Sequence, residues 1–139
     1  MEEELIMSPS EDQLIQHARD AQKQAYAPYS QFAVGAALLT EDGRIFSGCN
    51  VENSTFGATI CAERTAVFTA VCNGARRFMK IAIVSDDEIP VMPCGICRSV
   101  LFEFSPDIEI ISVGLSGAVE KIRLSQLYPK GFRLKPKNK

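Results

Sequence analysis

The chain has 139 residues, 46% hydrophobic and 23% charged, the size and balance of one soluble domain with a real core, and no apolar run approaches the 18 or more residues that span a bilayer. A formal net charge of −2 argues against a general nucleic-acid binder, because such domains carry a basic face. The opening Met1-Glu2-Glu3-Glu4 is acidic rather than basic, unlike the start of a secretory signal, so a cytoplasmic location is expected.

Residues 1–139 read as a single domain, with 1–9 and 134–139 as flexible termini. Ser10-Glu11-Asp12-Gln13 has the form of a capping box, and Leu14, Ile15, Ala18, Ala21 and Ala25 then recur at helical spacing up to a stop at Pro28. Phe32 to Thr40 and Arg44 to Asn50 read as strands joined by a turn at Glu41-Asp42-Gly43. A loop of small polar residues, Glu52 to Thr59, leads into an apolar helix from Cys61 to Cys72, ended by Asn73-Gly74. Met79 to Ser85 is a continuous apolar strand. Cys94 to Phe104 is a further helix stopped at Ser105-Pro106, Ile108 to Val113 a buried strand, and Ala118 to Ile122 a short fifth. Alternation of strand and helix implies crossover connections and some parallel pairing. The expected fold is α/β, a three-layer α/β/α sandwich with one mixed sheet of about five strands.

Two fragments carry chemistry: Cys61-Ala62-Glu63 and Pro93-Cys94-Gly95-Ile96-Cys97. Each opens a helix, where free N–H groups and the helix dipole favour a thiolate over a thiol. Cys94 and Cys97 stand three apart and share one face of the first turn. If both helix starts point at one spot, three thiolates converge and tetrahedral zinc keeps one position open for water. A Cys-x-Glu followed by Pro-Cys-x-x-Cys is the pattern of zinc-dependent base deaminases, in which the Glu is not a ligand. Free of the metal, Glu63 can move protons between water, a ring nitrogen and a leaving amine.

A lone Cys-x-x-Cys also fits a structural zinc knuckle or a redox pair. Structural zinc normally takes four protein ligands, and no suitable fourth is in view. Cys49 and Cys72 read as small core residues at a strand end and a helix end. His17, the single histidine, falls in the first amphipathic helix and reads as a surface or half-buried residue.

Much of the chain, residues 26 to 104, resembles the small cytidine deaminase family, the homotetrameric three-cysteine zinc type. The resemblance lies in Tyr29-Ser30-Gln31-Phe32-Ala33-Val34-Gly35-Ala36-Ala37, Gly48-Cys49-Asn50-Val51-Glu52-Asn53, Cys61-Ala62-Glu63-Arg64-Thr65-Ala66 and Pro93-Cys94-Gly95-Ile96-Cys97-Arg98. It implies one Zn²⁺ per chain held by Cys61, Cys94 and Cys97, with Glu63 as the catalytic acid–base. It also implies hydrolytic deamination of cytidine and deoxycytidine to uridine and deoxyuridine in pyrimidine salvage. The substrate is then a free nucleoside, the partner other copies of the same chain in a homotetramer, and neither nucleic acid nor membrane is involved. By position, Asn50 and Glu52 would bond the ribose hydroxyls, Phe32 would stack on the pyrimidine, and the Ala62 backbone with Glu63 would read the base edge. Unaided, Phe32 alternates with Val34 and reads as core, while Asn50 and Glu52 read as solvated loop residues.

Arg64 has an electrostatic argument of its own. Zinc with three thiolates carries a formal charge of −1, and a cation bonded to the sulfurs offsets it. Arg98, directly after Cys97, is a second candidate for that work. Phe56 stands where the family commonly has Tyr, in a loop that reaches a neighbouring subunit's site, and Ser99 stands where Gln is common. Leu127-Tyr128-Pro129-Lys130-Gly131-Phe132 loosely resembles the C-terminal segment whose Phe closes over a neighbour's pocket. Phe132 is thus a candidate lid, or a hydrophobic anchor into its own core. The basic tail, Lys130, Arg133, Lys135, Lys137 and Lys139, reads as a solvated terminus or a phosphate-binding arm. Three functions stay open: a cytidine deaminase, the same chemistry on an aminonucleoside antibiotic or modified cytosine, and a non-enzymatic zinc-stabilised interaction domain.

Overall fold

The computed structural model describes residues 9–137; the expected flexible termini fall partly outside these, as does Lys139 of the basic tail. Helix α1 spans Glu11–Gln22, strand β1 Val34–Thr40, β2 Ile45–Cys49, a 3₁₀ turn Phe56–Ala58, helix α2 Ala62–Cys72, β3 Phe78–Ser85, α3 Gly95–Phe104, β4 Glu109–Val113, β5 Val119–Arg123 and the short α4 Leu124–Leu127. The strand order is β2-β1-β3-β4-β5. β3 and β4 pair in parallel around α3, and every other neighbour is antiparallel, which makes the sheet mixed.

Successive side chains on a strand face opposite ways, so a sheet covered on both faces needs continuous apolar strands. Ala36, Leu38, Ile81, Ile83 and Ile110 point one way, into a core shared with Ala66, Val67 and Ala70 of α2 and Leu101 of α3. The alternate residues Ala37, Leu39, Ala82, Val84, Ile111 and Val113 pack against Leu14 and Ala18 of α1. Helices therefore lie on both faces, as the sandwich requires.

Helix α1 opens with the expected capping box: Ser10 accepts from the Gln13 N–H and the Gln13 side chain accepts from the Ser10 N–H. It ends at Gln22, well before the expected stop at Pro28. The cause is long-range. The Tyr26 N–H donates to the Asn50 carbonyl at 3.0 Å and the Glu52 N–H to the Tyr26 carbonyl at 2.8 Å, so Tyr26 leaves the helical path to pair with the segment after β2. The expected hairpin turn forms with Gly43 at φ 92°. Cys72 ends α2 exposed, which corrects its reading as a core residue; Cys49 is half-buried.

One glycine decides how the site is set. A Cβ on Gly48 would stand 2.5 Å from the Ala66 N and 2.7 Å from the Ala62 carbonyl oxygen. Helix α2 thus rests directly on the β2 backbone. Just beyond, Val51 and Ile60 exchange two backbone hydrogen bonds of 3.0 Å, closing the 52–59 loop immediately before Cys61.

Candidate active site

Cys61 and Cys94 are the N-cap residues of α2 and α3, both in extended backbone conformation and neither capping its helix with its side chain. Their thiols stay available while the helix starts direct positive potential at them. Cys97, one turn into α3, is fully buried. The three sulfurs lie within 4.8 Å of one another, with Cys61 Sγ 3.8 Å from Cys94 Sγ. Among the described residues no other group of three His, Cys, Asp or Glu side chains converges in this way.

The electrostatics agree with a cation site. Hydrogen bonding from Cys97 and Arg64, opposed by burial, brings the Cys61 thiol down to about 5, while the same contact and burial push Cys97 up. Full ionisation of three thiols this close together calls for a bound cation. Arg64 Nη2 donates to Cys61 Sγ at 3.4 Å. Arg64 Nε is buried with no hydrogen-bond partner among the described residues, which is tolerable beside concentrated negative charge. Sulfur donors, tight spacing and a fourth side open to the cleft fit zinc, and Cys61, Cys94 and Cys97 are the residues that would hold it.

Glu63 follows Cys61 by two residues but lies outside the cluster. It is 6% exposed, and burial raises its carboxyl to about 7, with the Cys61 charge adding to the rise and Arg64 opposing it. A carboxyl balanced between its two forms near neutrality suits proton transfer.

A cleft of about 360 Å³ stands over this floor. Glu63, Ala62, Cys61 and Cys94 line its base; Phe32, Val34, Asn50 and Glu52 line one wall and Val91 and Met92 another. Asn50 Oδ1 accepts from the Val34 N–H at 2.9 Å and its Nδ2 donates to the Phe32 carbonyl at 2.8 Å. This leaves one N–H and one lone pair for a ligand. Glu52 is held by the Ser30 hydroxyl and by the Tyr29 and Ser30 N–H groups, and these bonds keep its carboxyl below the usual range. Neither residue is a solvated loop side chain, and Phe32 is a half-buried cleft wall rather than core.

Other expectations fall elsewhere. Arg98 does not touch the sulfurs: its Nε donates to the Pro93 carbonyl at 2.7 Å and its Nη1 to that of Leu127 at 3.2 Å, so it ties the approach to Cys94 to the C-terminal segment. Phe56 is 80% exposed and Phe132 69%, and neither lines the cleft of its own chain. The reading of Phe132 as an anchor in its own core is therefore wrong. Tyr128 does that work, edge-on to Phe102 at 5.3 Å. His17 lies exposed on α1 and Ser99 exposed on α3. Arg133 of the basic tail pairs with Glu103 at 3.3 Å. Ser30, Val91 and Met92 were not singled out from the sequence. Ser30, two residues before Phe32, carries a short-range turn signal; the other two carry none.

A mixed five-stranded sandwich with a three-thiol centre at two helix starts, and a buried acid beside it, defines the class of zinc-binding base deaminases. Residues 8–114 match the family described as the cytidine and deoxycytidylate deaminase zinc-binding region, and the chain belongs to that family. It is 48% identical over 122 residues to a cytidine deaminase of Sporosarcina psychrophila, spanning 87% of this chain and 90% of that one. It is 45% identical over 126 residues to a cytidine deaminase of Halalkalibacterium halodurans, spanning 90% and 96%. The solved cytidine deaminase of Burkholderia pseudomallei superposes with a TM-score of 0.86 at 44% identity, covering 89% of this chain and all of that one.

Proposed function

We propose that the chain hydrolyses cytidine and deoxycytidine, with water, to uridine or deoxyuridine and ammonia, serving pyrimidine salvage in the cytoplasm as a homotetramer. The observation that carries the reading is a buried Glu63 that touches the cleft but not the thiol cluster. Cys61, Cys94 and Cys97 hold one zinc ion. Bound there, zinc would supply Lewis acidity toward water.

The rest is the work of side chains. Glu63 takes one proton from the attacking water and passes it to N3 of the ring, then takes the second from the hydroxyl now on C4 and hands it to the amine, which leaves as ammonia. Phe32 stacks on the pyrimidine, the Ala62 backbone reads the base edge, and Asn50 and Glu52 accept or donate hydrogen bonds at the sugar hydroxyls. Arg64 offsets the negative charge of the thiolates. Phe56 and Phe132, large apolar residues left in water, support assembly, because each would find cover at a neighbouring subunit's site. No helix among the described residues is long and apolar enough to cross a membrane.

The test is direct. Zinc-loaded protein mixed with cytidine should produce uridine and ammonia in equal amounts, followed as loss of cytidine absorbance. Zinc-replete protein that leaves cytidine and deoxycytidine intact would contradict the proposal.

A further inference from the structure

We propose that Ser30 is a positioning residue for the cleft, a clamp through which one hydroxyl sets both the sugar-binding carboxylate of Glu52 and the ring wall at Phe32. The inference rests on the reading of Glu52 as an acceptor for sugar hydroxyls and goes beyond it.

The geometry starts with the left-handed residue Gln31, at φ 57°, a conformation that costs a residue with a side chain and persists only when its neighbours hold it. The Gln31 N–H is bonded to the Ala27 carbonyl at 2.9 Å. On either side the chain is fastened through Ser30. Its N–H donates to Glu52 Oε1 at 3.1 Å, beside the Tyr29 N–H at 2.9 Å. Its hydroxyl donates to Glu52 Oε2 and accepts from the Phe32 N–H at 3.0 Å. The Phe32 carbonyl is in turn held by Asn50.

A carboxylate offers about two lone pairs on each oxygen. Two N–H groups fill Oε1, so a ligand hydroxyl is left with Oε2, the oxygen that Ser30 orients. A hydroxyl has one proton and two lone pairs, so the same Ser30 oxygen can serve Glu52 and Phe32 together. Thr is the side chain that keeps this function, and the exposed position of Ser30 leaves space for its methyl group. Ala deletes both bonds at once. Without them Oε1 is still held by the Tyr29 and Ser30 N–H groups, but Oε2 loses the donor that orients it, while zinc ligands and Glu63 are untouched.

The Phe32 carbonyl stays bonded to Asn50, so the ring wall keeps its second anchor and the main loss falls on a ligand's sugar hydroxyls, which a general loss of structure would not single out. Calorimetric titration with uridine and 2′,3′-dideoxyuridine reads this without turnover, on zinc-loaded wild type, Ser30→Ala and Ser30→Thr, each with its thermal midpoint recorded. Wild type should bind uridine more tightly than the dideoxy compound. Ser30→Ala should weaken uridine roughly tenfold or more, the worth of a hydrogen bond to a charged group, and change dideoxyuridine less than about threefold. Ser30→Thr should restore the preference. If Ser30→Ala weakens both compounds equally, or neither, or if Thr fails to rescue, the clamp is overturned. If wild type itself binds the two compounds equally, the role of Glu52 as sugar acceptor fails first and the clamp with it, a result read in a different row of the same experiment.

Discussion

The floor and the rim of the cleft are built in different ways. The floor consists of two helix starts braced on the sheet: Cys61 and Cys94 are N-caps, Gly48 seats α2 on β2, and Glu63 and Cys97 are buried. Every group there is fixed within one chain. The rim consists of loops, where Ser30 bonds Glu52 and Asn50 bonds Phe32 and Val34, while the rings of Phe56 and Phe132, outside this chain's own cleft, stand in water. The lesson is a division of labour. Regular structure fixes the atoms where bonds break, and loops, completed in the proposed tetramer by neighbouring copies, fix which molecule is held there.

The comparison can be broken most sharply at the floor. Cys97→Ala should remove zinc and activity together, because two thiolates cannot close a three-ligand site, and metal analysis beside the cytidine assay checks both. Arg64→Ala comes next. Its bond to Cys61 is lost, and outer-shell losses at zinc sites typically cost about 10–100-fold in metal affinity or activity. Zinc content, thermal midpoint and rate on one preparation check this; wild-type values for all three would make Arg64 a surface residue.

Gly48→Ala should act through packing alone. A methyl group meets helix backbone at 2.5 Å, so α2 must move off the sheet at a cost of about 1–3 kcal/mol, read as lower denaturant stability. Because Cys61 and Glu63 ride on α2, turnover should fall with it. The smallest effect is expected at the rim. Phe56→Ala leaves an 80% exposed ring's position and should spare monomer stability to within about 0.5 kcal/mol, while weakening the proposed tetramer in sedimentation and raising KM. An unchanged tetramer with unchanged KM would deny the ring its assigned place.

The floor was also the part most legible in the sequence, for a physical reason. Helix starts announce themselves through short-range patterns, and Cys61 to Arg64 is a three-residue step that stacks both side chains on one face. Arg98 misled because adjacency in sequence is not adjacency in space: one residue after Cys97 is about 100° around the helix, and the side chain reaches carbonyls instead of sulfur. The end of α1 was missed because Tyr26 is drawn out by Asn50 and Glu52, partners more than twenty residues away. The rim was legible only through the family resemblance, for the same cause. Asn50 and Glu52 look like loop residues until the 29–34 segment folds across them, and nothing local in the chain states that Cys72 faces water.

The central claim is that three thiolates hold the metal and Glu63 does not. Glu63→Gln tests it most directly, with zinc content and turnover measured on the same preparation. The carboxamide keeps the shape and removes the exchangeable proton, so zinc should stay at one per chain while kcat falls by about 10²–10⁴-fold. Zinc lost from that variant would make Glu63 a ligand, and turnover near the wild-type rate would remove it from the chemistry; either result contradicts the account.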